Sequence, residues 1–344
     1  MSAILGVVYH AVGGFASGSF YLPFRKVRQW SWESAWLVGG VASWILVPWL
    51  MGALTVNGLW PSITSADGST LFWTYFFGVL WGIGGLTFGL TMRYLGISLG
   101  MAVALGYCSA FGTLIPPIWE GRFEELLTTR AGRFTLAGVG LCLLGIAVCG
   151  RAGMRKEREL NPEQQRATVA EFNLRKGVGV ATVSGILSAC FAFALTAGRP
   201  IAERAVQLGT DPLWQNNAIY PVLLLGGFTT NVIWCLTLNR RNRSFGDYTD
   251  ARTPLLRNYG WAFLAGTTWY FQFFFYGMGD NFLPPGFRYA GWTMHMAFII
   301  LFSTFWGLVL YEWKGASRRT YAVVYLGLAL IILSTVLIGM GNQL

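Results

Sequence analysis

Long apolar stretches recur along the whole chain, and short polar segments separate them. Stretches such as LLLGGFTTNVIWCL lack the two-residue alternation of a membrane β-strand, and each approaches the roughly 20 residues that a helix needs to cross a bilayer. Helices satisfy their own backbone groups in lipid. The pattern therefore predicts an all-α integral membrane protein with ten transmembrane helices. The predicted helices cover residues 4–23, 34–56, 70–90, 97–118, 133–150, 177–198, 217–238, 259–279, 291–311 and 321–341.

The most polar segment divides the ten predicted helices into five and five. We interpret residues 1–150 as an N-terminal five-helix repeat, 151–176 as a cytoplasmic linker and 177–344 as a C-terminal five-helix repeat. Because five is odd, the two halves insert with opposite orientation. Inverted repeats of this kind are a common plan of secondary transporters.

Composition supports the membrane class, since 54% of the residues are hydrophobic and 12% are charged, against roughly 25% charged in soluble proteins. The net charge of +10 does not indicate a nucleic-acid partner, because 19 of the 25 Lys and Arg residues lie in one set of alternate loops. The positive-inside rule places that set in the cytoplasm. Both termini are then predicted outside, and the lipid bilayer is the expected surrounding. The five cysteines fall in predicted helices and are interpreted as packing residues.

Ionisable side chains inside a membrane are expensive, so the few that are present are candidates for function. No acidic residue lies in the middle of a predicted helix, but both histidines of the chain lie inside apolar stretches. His10 and His295 come roughly 9 Å and 6 Å from the outer ends of the first and ninth helices, at 1.5 Å per residue. An imidazole can take up and release a proton near neutral pH, as a proton-coupled carrier requires. The alternative is a pair of buried structural histidines.

The eighth predicted helix combines an amide with aromatic rings. Trp269, Gln272 and Tyr276 share one helix face, and a buried glutamine needs partners for two donors and an acceptor. Either another helix supplies them or a polyhydroxylated ligand does. Rings beside amide and imidazole groups suit a sugar, and Trp81 is a further candidate for a cavity wall. Other tryptophans are interpreted as interface residues, namely Trp30, Trp32, Trp36 and Trp313.

Several stretches resemble the L-rhamnose/proton symporter family, a branch of the drug/metabolite transporter superfamily. The resemblance covers nearly the whole chain and is carried by YHAVGGFASGSFYLPFRKVRQWSWE, WGIGGLTFGLTMRYLG, AEFNLRKG, WYFQFFFYG and WTMHMAF. It implies ten helices in two inverted five-helix repeats, a central sugar site and import driven by protons. Superfamily relatives usually keep both termini in the cytoplasm, and for this chain we follow the charge distribution instead.

Carried over by position, the family's histidines match His10 and His295, and its glutamine in the eighth helix matches Gln272. The chain departs from the family pattern elsewhere. Gly85 and Thr87 stand where amides are expected, and Thr196 replaces an asparagine. Two additional amides, Asn216 and Asn217, precede the seventh helix. Lost and gained amides indicate a changed choice of sugar.

We therefore expect an importer of a 6-deoxy-L-hexose, first L-rhamnose and next L-fucose, that works by proton symport and alternating access in the bacterial inner membrane. The expected sugar-binding residues lie between the two halves and are His10, Trp81, Asn217, Trp269, Gln272, Tyr276 and His295. His10 and His295 are expected to carry the proton. No metal or other cofactor is expected, and sodium is the alternative coupling ion. A drug or metabolite exporter is the alternative function, and no catalytic constellation indicates an enzyme.

Overall fold

The computed structural model describes residues 2–95, 97–119, 121, 123–159, 173–283, 288–310, 313 and 315–341. Within those ranges the chain folds into helices and contains no strand. A long helix covers each of the ten predicted segments. The helices are α1 (Ser2–Ser19), α2 (Trp32–Thr55), α3 (Gly68–Leu95), α4 (Ile97–Trp119), α5 (Arg130–Glu159), α6 (Leu174–Ala197), α7 (Tyr220–Asn242), α8 (Leu255–Asn281), α9 (Arg288–Val309) and α10 (Arg318–Gly341).

Seven helical stretches of the described chain are long and apolar enough to cross a membrane, and they fall in α2, α3, α5, α6, α7, α9 and α10. The predicted class, an all-α protein that crosses the membrane several times, is therefore confirmed. The number of ten crossings and the inverted repeats stay predictions, as does the outward position of both termini.

The segment between α5 and α6 begins later in the chain than the predicted linker of residues 151–176. Helix α5 continues through Glu159, so residues 151–159 are helical, and α6 begins at Leu174. Residues 160–172, the centre of the predicted linker, lie outside the described residues. The cytoplasmic location of the segment stays a prediction.

Side-chain caps fix where three of the helices begin. The first backbone N–H groups of a helix have no partner within the helix, and Asp, Asn and Ser side chains can accept from them. Asp67 accepts from the N–H of Thr70 at 2.7 Å, before α3. Asn173 does the same for Lys176 at 3.0 Å at the start of α6, and Ser317 precedes α10 in the same way.

Helix α2 widens in its middle into a π-helical turn, Val41–Leu46. Pro48 follows two residues after the end of this turn. A proline inside a helix has no N–H to donate, and its ring collides with the carbonyl four residues earlier, which here belongs to Trp44. A wider turn relieves that collision, so the sequence WILVP explains the local geometry. Single π-turns inside α-helices often lie at functional sites.

The described chain divides into two compact units that differ from the two halves of the sequence. Unit 1 consists of Met1–Gly14, Gly84–Ala192 and Gly279–Leu344, and unit 2 consists of Phe15–Ile83 and Phe193–Met278. Helices α1, α3, α6 and α8 contribute to both units. The predicted duplication concerns sequence repeats, and grouping by contact does not test it.

Small side chains allow close helix packing in unit 1. One buried cluster joins α5, α9 and α10 through Cys142, Ile146, Ala297 and Ile331. All five cysteines are free, and all but the half-buried Cys149 are buried, which agrees with their interpretation as packing residues. Apolar burial of this kind gives no driving force between helices in lipid, so the fit of the side chains decides the packing.

In unit 2, α2 and α8 approach so closely that their backbones touch. A Cβ atom at Gly266 would lie 2.7 Å from the carbonyl carbon of Gly39 and 2.9 Å from its Cα. Helix α7 joins the same core, where the buried hydroxyl of Tyr220 donates to the carbonyl of Phe273 in α8. These contacts position the aromatic residues of α2 and α8.

Candidate functional site

The two histidines are neighbours in unit 1. Their ring centroids are 5.9 Å apart, and the rings lie edge to face. Both side chains are buried, with His10 0% and His295 2% exposed. The sequence placed them on different helices at similar depth, and the structure brings them together as a histidine pair, a name kept below for His10 and His295.

Two glycines make room for the imidazole of His10. A Cβ atom on Gly279 would lie 3.0 Å from Nε2 and Cδ2 of that ring, and one on Gly291 would lie 3.0 Å from Nε2. Gly279 belongs to the end of α8 and Gly291 to α9. Any larger side chain at either position would have to displace the imidazole.

Helix α9, which carries His295, is anchored to α4 by hydrogen bonds on its buried face. Trp292 Nε1 donates to the carbonyl of Cys108 at 3.1 Å. The next residue, Thr293, accepts from the hydroxyl of Ser109 at 3.1 Å and shares a short hydrogen bond with Thr113. These bonds set the rotation of α9 and thereby the direction of His295.

The predicted residues of α8 lie on its buried side in unit 2. Gln272 and Tyr276 are 4% and 3% exposed, and Trp269 is half-buried. The amide nitrogen of Gln272 and the indole N–H of Trp269 donate to no acceptor among the residues that the structure describes. A buried donor without a partner costs about 1–3 kcal/mol, so both atoms are unsatisfied donors at the predicted site.

Trp81 belongs to the same aromatic cluster as Trp269. Its ring meets that of Phe273 edge to face at 5.4 Å, and Phe273 also contacts Trp269 at 6.3 Å. On its other side Trp81 meets Trp44 of α2 at 6.3 Å. The sequence predicted Trp81 as a wall residue but gave no reason to select Phe273 or Trp44.

The predicted sugar ligand Asn217 already makes a hydrogen bond within the protein. Its Nδ2 donates to the hydroxyl of Thr55 at 2.8 Å, at the end of α2. Its neighbour Asn216 donates to the carbonyl of Gly277 at 3.2 Å. Both additional amides thus hold the start of α7 against other helices of unit 2.

A narrow cleft, called here the aromatic cleft, lies between α2, α8 and the segment after α1. Its walls include Phe20, Phe24, Trp36, Gly39, Gly40, Ser43, Trp44, Gly266 and Trp269. Trp36 was interpreted from the sequence as a residue of the membrane interface. In the structure Trp36 is half-buried in the cleft wall and its Nε1 donates to Asn231 at 3.1 Å, and its position at the membrane interface stays a prediction.

The structure thus divides the seven predicted site residues between the two units. The histidine pair belongs to unit 1, whereas Trp81, Asn217, Trp269, Gln272 and Tyr276 belong to unit 2. In the described part of the chain, no three His, Cys, Asp or Glu side chains form a group that could hold a metal ion. The roles of the seven residues stay predictions.

The repeated long apolar helices of the described chain define a multi-pass membrane protein. The particular family follows from comparison with known proteins. The model of the L-rhamnose-proton symport protein family (RhaT) matches residues 1–343, and the chain belongs to this family.

Similar proteins of known name cover the chain almost completely. L-rhamnose-proton symporters of Citrobacter koseri and Escherichia coli are 40% identical to it over 340 residues, which is 98% of this chain and 97% of each relative. The symporter of an Enterobacter species is 39% identical over the same share. These relatives are named as symporters and not as enzymes, in agreement with the expectation from the sequence.

Proposed function

We propose that this protein imports L-rhamnose together with a proton across the bacterial plasma membrane. The observation that carries the proposal is the match to the symporter family over residues 1–343, supported by relatives of that name at about 40% identity. The buried histidine pair and the buried amide of Gln272 supply the two kinds of chemistry that such a protein needs, a proton carrier and a hydrogen-bonding group for a sugar.

In this proposal the histidine pair carries one proton. Two positive charges 5.9 Å apart repel each other by about 3 kcal/mol at an effective dielectric constant of about 20. A second proton on the pair is therefore disfavoured about a hundredfold, since about 1.4 kcal/mol corresponds to a factor of ten. The expected stoichiometry is one proton for each sugar.

The sugar is held by unit 2 through Gln272 and the aromatic residues around Trp269. A carboxamide can donate to and accept from neighbouring hydroxyl groups. An indole ring covers the apolar C–H face of a pyranose, and its N–H reaches a further hydroxyl. The methyl group of a 6-deoxy sugar suits the same apolar surroundings, so L-fucose is the second substrate that we expect.

Import proceeds by alternating access, the mechanism associated with inverted repeats. Protonation of the histidine pair on the outer side favours the state that binds sugar. Release of the proton on the inner side, where its concentration is lower, completes the cycle. A ligand shifts such an equilibrium only by its differential affinity for the two states, so both sugar and proton must bind one state more tightly.

The test is uptake of radiolabelled L-rhamnose by liposomes that contain the purified protein. We expect accumulation when the outside is acidic, a smaller accumulation of L-fucose, and no accumulation driven by a sodium gradient alone. Accumulation that follows sodium instead of the pH gradient would overturn proton coupling. Failure to exchange labelled for unlabelled L-rhamnose would overturn the choice of substrate.

The alternative is a drug or metabolite exporter, in which the amides and histidines only join helices. Thermal unfolding with a panel of sugars and lipophilic cations separates the two, because a ligand stabilises the native state that it binds. Stabilisation by L-rhamnose agrees with the importer, and stabilisation by the cations alone would favour the exporter.

A further inference from the structure

The π-helical turn of α2 carries two buried polar atoms that the sequence analysis did not select. Ser43 is 1% exposed and Trp44 is 4% exposed. Within the described ranges neither the hydroxyl of Ser43 nor the indole N–H of Trp44 has a hydrogen-bond partner. A buried donor without a hydrogen-bond partner costs about 1–3 kcal/mol.

Two other buried hydroxyls of unit 2 have partners within the protein. The fully buried Ser62 donates to the carbonyl of Gly58 at 2.8 Å, four residues earlier. Thr74 donates in the same way to Thr70 at 2.7 Å. A serine or threonine in a membrane helix commonly satisfies itself by this bond to the preceding turn. The hydroxyls of Ser43, Thr267 and Tyr270 have no partner in the described chain, and of these three Ser43 lies where a helix is widened.

Ser43 and Trp44 line the aromatic cleft, and so does Trp269, whose indole N–H also lacks an acceptor in the described chain. Three residues of the cleft wall, from two helices, therefore each carry an unsatisfied donor. Glycines keep the space open and the rings in place. A Cβ atom at Gly40 would lie 2.7 Å from the ring of Trp44.

The chemistry of the walls selects the class of ligand. The lining residues carry no charge, so they offer no counter-ion to a cation, a carboxylate or a phosphate. Aromatic rings with isolated N–H and O–H groups suit a neutral polyhydroxylated molecule, whose C–H faces pack on rings while its hydroxyls pair with the donors. The cleft is small, with about 10 Å³ of space, which is close to the room that one water molecule needs. The cleft is thus a subsite for a single hydroxyl group of a sugar.

We propose that Ser43 and Trp44, on the π-helical turn of α2, together with Trp269 of α8, form a subsite that binds a hydroxyl group of the transported sugar. The inference rests on the proposed function and adds α2 to the elements that recognise the substrate. Ser43 Oγ and Trp44 Nε1 donate hydrogen bonds to the bound hydroxyl group. Pro48 contributes to the subsite indirectly, because it favours the wide turn that carries both side chains of the cleft wall.

The test compares Ser43→Ala and Trp44→Phe with matched controls in the same unit. Ser62→Ala removes a buried hydroxyl that already has a partner, and Trp73→Phe removes an indole N–H from a ring that is 45% exposed. For each purified protein, the melting temperature is measured without ligand and with L-rhamnose, and the affinity for L-rhamnose is measured by titration calorimetry.

We expect Ser43→Ala and Trp44→Phe to bind L-rhamnose about 3- to 10-fold more weakly, the effect of one lost hydrogen bond. The melting temperature of Ser43→Ala without ligand should equal or exceed that of the wild type, because an unsatisfied buried donor has been removed. That of Trp44→Phe should be lower, because a buried ring loses volume. The controls should bind as the wild type does. Weaker binding with an unchanged or higher melting temperature in Ser43→Ala supports the subsite.

Two outcomes would overturn the inference. Both variants binding L-rhamnose as tightly as the wild type would show that neither atom contacts the sugar. Weaker binding that appears only with a lower melting temperature would show a structural role. If the wild type itself fails to bind or exchange L-rhamnose, the proposed function fails first, so the two failures can be told apart.

Discussion

Adding a single methyl group at the contact between α2 and α8 should lower the free energy of unfolding by an amount that the structure lets us estimate. In Gly266→Ala, the new Cβ would lie 2.7 Å and 2.9 Å from the carbonyl carbon and Cα of Gly39, and closer still to its carbonyl oxygen. These are backbone atoms, which cannot rotate away as a side chain can. Overpacking of this kind costs about 1–3 kcal/mol, and the backbone contact favours the upper end.

Alanine also improves the helix itself, by about 1 kcal/mol relative to glycine. The net expectation for Gly266→Ala is a loss of about 2 kcal/mol in the free energy of unfolding. Gly260→Ala in the same helix is the matched control, because a Cβ there has no neighbour within 4 Å. It should gain up to about 1 kcal/mol. The two identical substitutions should therefore differ by about 3 kcal/mol.

Unfolding in mixed micelles with increasing denaturing detergent, followed by tryptophan fluorescence and circular dichroism, measures this difference. Gly266→Ala should also bind L-rhamnose more weakly, because Gly266 lines the aromatic cleft. If both alanine variants unfold at the same detergent concentration, the close approach of α2 and α8 is refuted.

Three further predictions concern hydrogen bonds elsewhere in the chain. Glu33→Ala should lower the free energy of unfolding by about 1–3 kcal/mol, because Asn242 and Ser244 donate to the buried carboxyl group of Glu33 at 2.9 Å and 2.7 Å. Glu33→Gln keeps an acceptor and should lose less, and equal losses of the two variants in detergent unfolding would contradict this. Thr293→Val should lower the free energy of unfolding by about 1–3 kcal/mol in the same assay, because Ser109 and Thr113 lose their shared partner. The control is Thr182→Val, whose hydroxyl bonds only within α6, and an equal or larger loss in this control would argue against the prediction. The backbone N–H of Ser317, with the hydroxyls of Thr320 and Ser317, holds the pKa of Glu159 below its usual 4.5. The stability that this carboxylate contributes is therefore present above pH 4.5 and is lost as the pH falls through the lowered pKa. The difference in melting temperature between wild type and Glu159→Gln should shrink on acidification, and a constant difference would refute the contact.

The long apolar helices could be predicted from the sequence because their signal is local. Length and hydrophobicity place a helix wherever the backbone must satisfy itself in lipid, and the predicted segments lie within a few residues of α1 to α10. The ends were less accurate. The extension of α5 through residue 159 was missed, because the segment after 150 is polar and hydropathy cannot distinguish a solvated helix from a loop.

Part of the candidate site could also be predicted, since a histidine or glutamine in an apolar stretch is conspicuous. The closeness of His10 and His295 depends on how α1 and α9 pack, which spacing within one helix does not determine. Trp36 and Trp44 show most clearly what could not be predicted from the sequence. A sequence with 16 tryptophans does not reveal which of their rings line a cleft. Pro48 was the available signal, because a proline inside an apolar helix indicates a local distortion.

Proton coupling through the histidine pair is tested most directly by the pH dependence of L-rhamnose uptake in His10→Gln and His295→Gln. Liposomes with equal amounts of wild type, each variant and the buried control Ser184→Ala are given the same inward proton gradient, and exchange of labelled for unlabelled sugar is measured without a gradient. We predict that the histidine variants still exchange sugar but no longer accumulate it, while wild type and control do both. If both histidine variants accumulate the sugar along the pH gradient as the wild type does, the account is contradicted.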